Sequence, residues 1–256
     1  MHEYRLLVNE TPLRFPFYAA VKKWYNLLSE DINIRGTDMT YEEIKNIDVI
    51  NTYIKLADRS LSRLGYTEHG FAHVTMVAER AGYVLETLNY PERTVELTKI
   101  AGYLHDIGNM VNRCDHSQSG ALIAYRILTE MNFPPEEIGE IVTAIGNHDE
   151  GTGVPVSPLA AALILADKSD VRRNRVHNED QANFDIHDRV NYSVTKSELK
   201  INEAHTIIKL KLSVDTHYSS VMEFFEIFMQ RMILCRKAAE TLGLQFKLII
   251  NEQQLI

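Results

Sequence analysis

The run Ala101-Gly102-Tyr103-Leu104-His105-Asp106-Ile107-Gly108-Asn109 ends an apolar helical stretch on two adjacent polar side chains. Val95, Leu97, Ile100, Ala101 and Leu104 keep helical spacing ahead of it, and Gly108 reads as the helix stop. A neutral imidazole and a carboxylate on consecutive residues can reach one cation, or the carboxylate can bridge two. The same pair also suits an ordinary helix C-terminus, where histidine favours the dipole and aspartate starts a turn. The chain holds three such pairs, His105-Asp106, His148-Asp149 and His187-Asp188, so a pair alone proves nothing. Its surroundings must discriminate.

The chain has 256 residues, 45% apolar and 24% charged, the balance of an ordinary globular protein with a substantial core. Lys and Arg total 27 against 35 Asp and Glu, a formal net charge of −8. That balance argues against general nucleic-acid binding but allows a small phosphorylated ligand at a local positive site. Cys114 and Cys235 make no paired framework, which fits a reducing cytosol. Met1-His2-Glu3-Tyr4-Arg5 lacks the pattern of a signal peptide, and the apolar run 159–166 is too short to span a bilayer. A cytoplasmic protein without membrane attachment is the expectation.

Residues 1–65 read as a helical preface. An irregular arm to about residue 15 is followed by a helix from Phe17 to Leu28, and a capping box at Thr40 and Glu43 opens a second helix that runs to Gly65. His73 opens the next amphipathic helix on the side of Val77, Ala81, Val84 and Leu85. Alone, it is better explained as a core or capping histidine than as a ligand. His116 begins a helix with small residues at Ser119, Gly120 and Ala121. Pro135 suits the first turn of another, which ends at Gly146 and delivers His148. Leu159 to Ala166 is apolar throughout, so a helix there is buried all round and Asp167, emerging from it, needs a partner.

Composition changes after Arg175. The stretch 176–188 reads as a solvated loop, and its His187-Asp188 as a decoy with no apolar helix leading into it. Alternation then predicts three antiparallel strands, around 192–201, 208–214 and 244–250, with one helix from His217 to Leu242 over them. The expected architecture is mainly α, a helical bundle over 66–176 with a small α+β subdomain over 177–256.

Four histidines (His73, His105, His116, His148) and two aspartates (Asp106, Asp167) thus fall at the termini of five otherwise apolar helices, and core filling explains such a set poorly. The N/O donors suit Mn, Fe, Zn or similar divalent ions, and no thiolate is needed, unlike many structural zinc sites. The order His, then His-Asp, then a distant Asp resembles the HD superfamily of metal-dependent phosphohydrolases, on His73-Val77-Ala78, Leu104-His105-Asp106-Ile107-Gly108 and Leu165-Ala166-Asp167. His116 and His148 fall where dinuclear members carry extra ligands, and the chain is similar to the bacterial branch that includes diadenosine-tetraphosphate hydrolases. The resemblance implies two divalent ions. Asp106 would bridge them, His73, His105 and Asp167 would serve one, and His116 and His148 chiefly the other. It also implies hydrolysis of a small phosphate ester or anhydride, a nucleotide foremost, by a metal-activated hydroxide.

Lys168, Arg172 and Arg173 form a positive patch that either holds substrate phosphates or closes a solvated helix end. Asp149, Glu150 and Asp170 are candidates to orient the imidazoles, and His69 takes a supporting or loop role. A non-catalytic nucleotide-binding or signalling module and a mononuclear phosphatase are the alternatives. The C-terminal sheet is a candidate for homodimer formation.

Overall fold

The computed structural model describes residues 39–178 and 180–255. The arm and the helix expected over 17–28 lie outside the described residues. Thr40 caps the first helix of the described residues as its sequence requires: the Glu43 amide donates to Thr40 Oγ1, and the Thr40 amide donates to the Glu43 carboxylate at 2.7 Å. The expected single helix to Gly65 is instead two. Helix α1 (Tyr41–Lys45) ends at Asn46, and α2 (Asp48–Arg63) starts after Ile47, whose backbone is extended. The break lets Ile44 on one helix and Ile50, Ile54 and Leu61 on the other all face the core. Gly65 ends α2 with φ +82°, as a left-handed stop requires.

Five helices follow. They are α3 (Phe71–Thr87), α4 (Glu92–Leu104), α5 (His116–Glu130), α6 (Pro135–Gly146) and α7 (Pro158–Lys168). Ser157 caps α7, and every residue from Leu159 to Ala166 is fully buried. This helix packs against α3, α4, α6 and the long C-terminal helix, which explains why its sequence shows no polar face.

Gly108 is not the stop of α4. That helix ends at Leu104, and Gly108 lies inside a 3₁₀ turn, Ile107–Met110. Its role is steric: a Cβ there would collide with the His116 carbonyl oxygen and the Gly120 amide nitrogen. Gly102 plays the same part between α4 and α3, where a Cβ would sit 2.7 Å from Ala78 Cα. The two glycines let α4 approach α3, and the 3₁₀ turn approach α5, backbone to backbone.

The stretch after Arg175 is more ordered than its polarity suggests. His187-Asp188 and Tyr192 fall in helix α8 (Ile186–Ser193), neither loop nor strand, because Asp185 caps it through the Asp188 amide and Val190 is buried beneath it. Strands β1 (Val194–Ile201) and β2 (Ile207–Val214) pair antiparallel. Helix α9 (Val221–Thr241) then carries the chain back to β3 (Gln245–Ile250) and a short β4 (Gln253–Gln254). The sheet therefore has four strands, not three, and β2 pairs with β3 in parallel. A 21-residue crossover helix returns the chain to the same end before β3, whereas a hairpin would have reversed it. The architecture is mainly helical with this small sheet at its C-terminal side, and one apolar cluster runs from Met39 to Ile250. Among the described residues no helix is long and apolar enough to cross a membrane.

Gly108→Ala is expected to destabilise the protein by about 3 kcal/mol, the upper end of overpacking costs, because the clash is with backbone. Gly139→Ala, exposed within α6 with nothing within 4 Å of its Cβ position, should stabilise by about 0.5–1 kcal/mol. Urea denaturation of both variants checks the pair.

Candidate metal centre

Five helix ends meet in one pocket of the core. His73 comes from the first turn of α3, and His105 and Asp106 follow α4. His116 starts α5, His148 follows α6, and Asp167 belongs to the last turn of α7. All four histidines and Asp106 are buried. The six side chains selected from sequence are thus brought together.

Each imidazole is held by its Nδ1. His73 Nδ1 donates to Asp170 Oδ2 at 2.8 Å, and His105 Nδ1 to the Gly102 carbonyl at 2.7 Å. His116 Nδ1 donates to the Arg113 carbonyl at 3.1 Å, and His148 Nδ1 to the Ile145 carbonyl at 2.6 Å. Three of the acceptors are main-chain carbonyls three residues back, so the local backbone itself sets the tautomer. Every Nε2 faces inward, where a neutral ring offers its lone pair.

Those lone pairs converge in two sets around Asp106. Oδ2 lies 3.2 Å from His105 Nε2 and 3.4 Å from His73 Nε2, whereas Oδ1 lies 3.4 Å from His116 Nε2 and 3.8 Å from His148 Nε2. Asp167 Oδ1 joins the first set, 3.4 Å from His73 Nε2. The His73 and His105 Nε2 atoms are 3.2 Å apart, and those of His116 and His148 are 3.1 Å apart. Two lone pairs at that separation repel unless a proton or a cation lies between them. Nitrogen and carboxylate donors in this arrangement fit divalent first-row ions. Ligand atoms of His73, His105 and Asp167, and of His105, Asp106 and His148, lie within 4.8 Å of one another. His105 is therefore near both groups.

The electrostatics express the same crowding. Burial opposes the charge on Asp106, but the imidazoles of His105, His148 and His73 hold its carboxyl well below the usual range. Burial likewise opposes ionisation of Asp167, which Lys168 and His73 hold low. Burial and Arg175 push His73 down, yet Asp106, Asp167 and Asp170 together raise it to about 10. Burial takes His116 the other way, to about 4, against the pull of Asp106. A proton on His73 thus occupies part of the space a cation would take.

The positive patch divides. Lys168 is buried, with Nζ 2.8 Å from Asp167 Oδ2 and 2.6 Å from Glu150 Oε2. Arg172 pairs with Asp170 at 2.6 Å. Arg173 donates to the Tyr192 carbonyl and lies over the Tyr192 and Tyr218 rings. Of the three acidic candidates, Asp170 contacts an imidazole nitrogen at hydrogen-bond distance, Asp149 Oδ1 lies 3.9 Å from His116 Nε2, and Glu150 instead joins Lys168 to Arg231. His69 meets the His73 ring edge to face at 5.3 Å.

Sequence reading missed two supporting residues. Asn109 donates to Asp106 Oδ1 at 2.9 Å, a contact that its place three residues after Asp106 could have suggested. Arg175 donates to the Glu68 and Asp170 carbonyls, closing the chain behind His73. No local pattern announces that one.

Residues 70–172 match the family model described as HD domain. The chain is also 28% identical to an uncharacterized protein of Methanocaldococcus jannaschii, over 72% of this chain and 80% of the relative. A crystal structure of a predicted HD superfamily hydrolase from an uncultured Thermotogales bacterium is similar at 23% identity and a TM-score of 0.40. That likeness covers 49% of this chain and 68% of the other. All six convergent side chains fall within the matched residues.

Asp170→Asn should leave the fold intact but lower divalent-metal affinity about 10- to 100-fold, since His73 loses the carboxylate on its Nδ1. Binding should also release protons, because His73 is protonated up to about 10 without a cation, so affinity rises with pH across the neutral range. Titration calorimetry of Mn²⁺ in two buffers of different ionisation enthalpy reads both effects.

Proposed function

We propose that the HD domain over residues 70–172 makes this chain a metal-dependent phosphohydrolase acting on a small phosphate ester or anhydride, with a nucleotide the leading substrate class. One observation carries the reading: the two carboxylate oxygens of Asp106 face separate pairs of histidine Nε2 atoms. A carboxylate so placed could serve two ions, and this supports two rather than one. His73, His105, Asp106 and Asp167 would hold the first, and Asp106, His116 and His148 the second. Bound cations supply charge to neutralise phosphoryl oxygens and lower the pKa of water.

The chain's own residues do the positioning. Asn109 fixes the Asp106 carboxylate, and Asp170 fixes the His73 ring. Lys168 holds Asp167 Oδ2, which leaves Oδ1 turned toward His73. Burial pushes the pKa of that lysine down, but Asp167 and Glu150 raise it above the ordinary lysine value and keep it charged. With its charge so matched, Lys168 serves chiefly to orient Asp167. Arg172 and Arg173 are similarly engaged by Asp170 and by Tyr192, Tyr218 and Asp215.

The test is a screen for phosphate release from nucleotides and generic phosphate esters, with Mn²⁺, Fe²⁺ or Zn²⁺ supplied and metal content measured in parallel. Asp106→Ala should lower turnover on the order of a thousand-fold, the rate equivalent of several kcal/mol of lost charge stabilisation. His116→Ala and His148→Ala should each halve the bound metal, whereas unchanged stoichiometry would indicate a mononuclear site. A wild-type protein that takes up no divalent ion and releases no phosphate would instead favour the non-catalytic module.

A further inference from the structure

A cavity of about 490 Å³ lies beside the cluster, within the size range of small-molecule sites. Three of its lining residues touch the site. His69 packs on His73, Arg113 Nη1 lies 3.4 Å from His116 Nε2, and Glu150 contacts Lys168, which holds Asp167. The C-terminal segment lines it too: His187 and Asn191 from α8, Phe228 and Arg231 from α9. The arginines Arg113, Arg175 and Arg231 face the cavity against the carboxylates of Glu150 and Asp185, in a chain whose net charge is −8.

Arg113 differs from its neighbours. Arg172 pairs with Asp170 and Arg231 with Glu150, but among the described residues no carboxylate lies within ion-pair distance of Arg113. Its guanidinium lies over the Tyr66 ring at 5.6 Å, with Nη1 directed at His116 and Asn109 at 3.4 Å. Stacking restrains the plane, and Nε and Nη2, which hold no hydrogen bond among the described residues, leave one edge for a bidentate anion. A partly buried guanidinium without a counter-charge among the described residues, beside a cluster of metal-capable donors, suits a phosphoryl group.

We propose that Arg113 holds the phosphoryl group of a small phosphate ester in this cavity, and that α8 and α9 contact the rest of the molecule, with His187 selecting it at the rim. The inference rests on the phosphohydrolase reading above. It gives the C-terminal segment the specificity role, and it returns His187, set aside in the sequence as a decoy, to the substrate side of the site. His187 is exposed, so its replacement leaves the core alone.

Arg113→Ala, Arg113→Lys and His187→Ala are made in the full chain loaded with Mn²⁺. Orthophosphate binding is titrated calorimetrically, metal content is measured, and kinetics are run on the fastest substrate of the screen. Arg113→Ala should weaken orthophosphate binding about 10- to 100-fold at unchanged metal content. His187→Ala should leave orthophosphate binding as in wild type and raise KM at least about fivefold with little change in kcat. If Arg113→Ala loses metal, Arg113→Lys decides: weaker orthophosphate binding at full metal supports the proposal, and wild-type binding overturns it. An unchanged KM in His187→Ala removes α8 from the substrate side. Wild type that hydrolyses while the variants behave as wild type overturns this inference alone. Wild type that retains neither metal nor orthophosphate overturns the phosphohydrolase reading as well.

Discussion

Four imidazoles whose Nδ1 atoms are all committed to acceptors leave four lone pairs pointed into one small volume, and that repulsion governs the centre of the molecule. Burial of unmatched donors is costly. Here it is tolerated because Asp106 stands between the two pairs and because a proton or a cation can sit among them. The backbone carbonyls of Gly102, Arg113 and Ile145 do the aiming, so the ring orientations follow from helix ends and need no further side chains. Only His73, at a helix start, lacks such a carbonyl, and Asp170 takes its place.

The rest of the fold brings those ends together. Helix α7 is the axis: its apolar surface meets α3, α4, α6 and α9, and its last turn carries Asp167 and Lys168 into the site. Gly102 and Gly108 set how near the neighbouring helices come. Arg80 ties the end of α7 to the sheet, donating to the Ser169 carbonyl and to the Ser197 carbonyl of β1. The sheet is thus fastened next to the site by a half-buried guanidinium as well as by apolar packing.

Much of this was legible in the sequence where a local rule applied. Helical spacing put His73 on a buried face, the apolar run 159–166 implied an enclosed helix, and Thr40 with Glu43 marked a true cap. What escaped was non-local. Gly108 looks like a helix stop by position, yet the reason for glycine is the His116 carbonyl and the Gly120 amide on another helix. Alternation found the strands but not their direction, because parallel pairing of β2 with β3 is set by the crossover helix between them. The polar composition of 176–188 hid α8, whose single buried valine leaves almost no periodic signal. Positive charge after Asp167 was visible, but which carboxylate answers each cation depends on contacts such as Arg231 with Glu150, 81 residues apart.

The chain Arg231–Glu150–Lys168–Asp167 has a structural corollary for how this protein can be dissected. A fragment ending at residue 176 would keep Glu150 and Lys168 but lack Arg231, and would bare the flank of α7 on which α9 lies. It would present water with a continuous greasy surface beside an unbalanced charge. Such truncation would invite self-association, so the helical body and its small sheet are best handled, and best compared across species, as an inseparable pair.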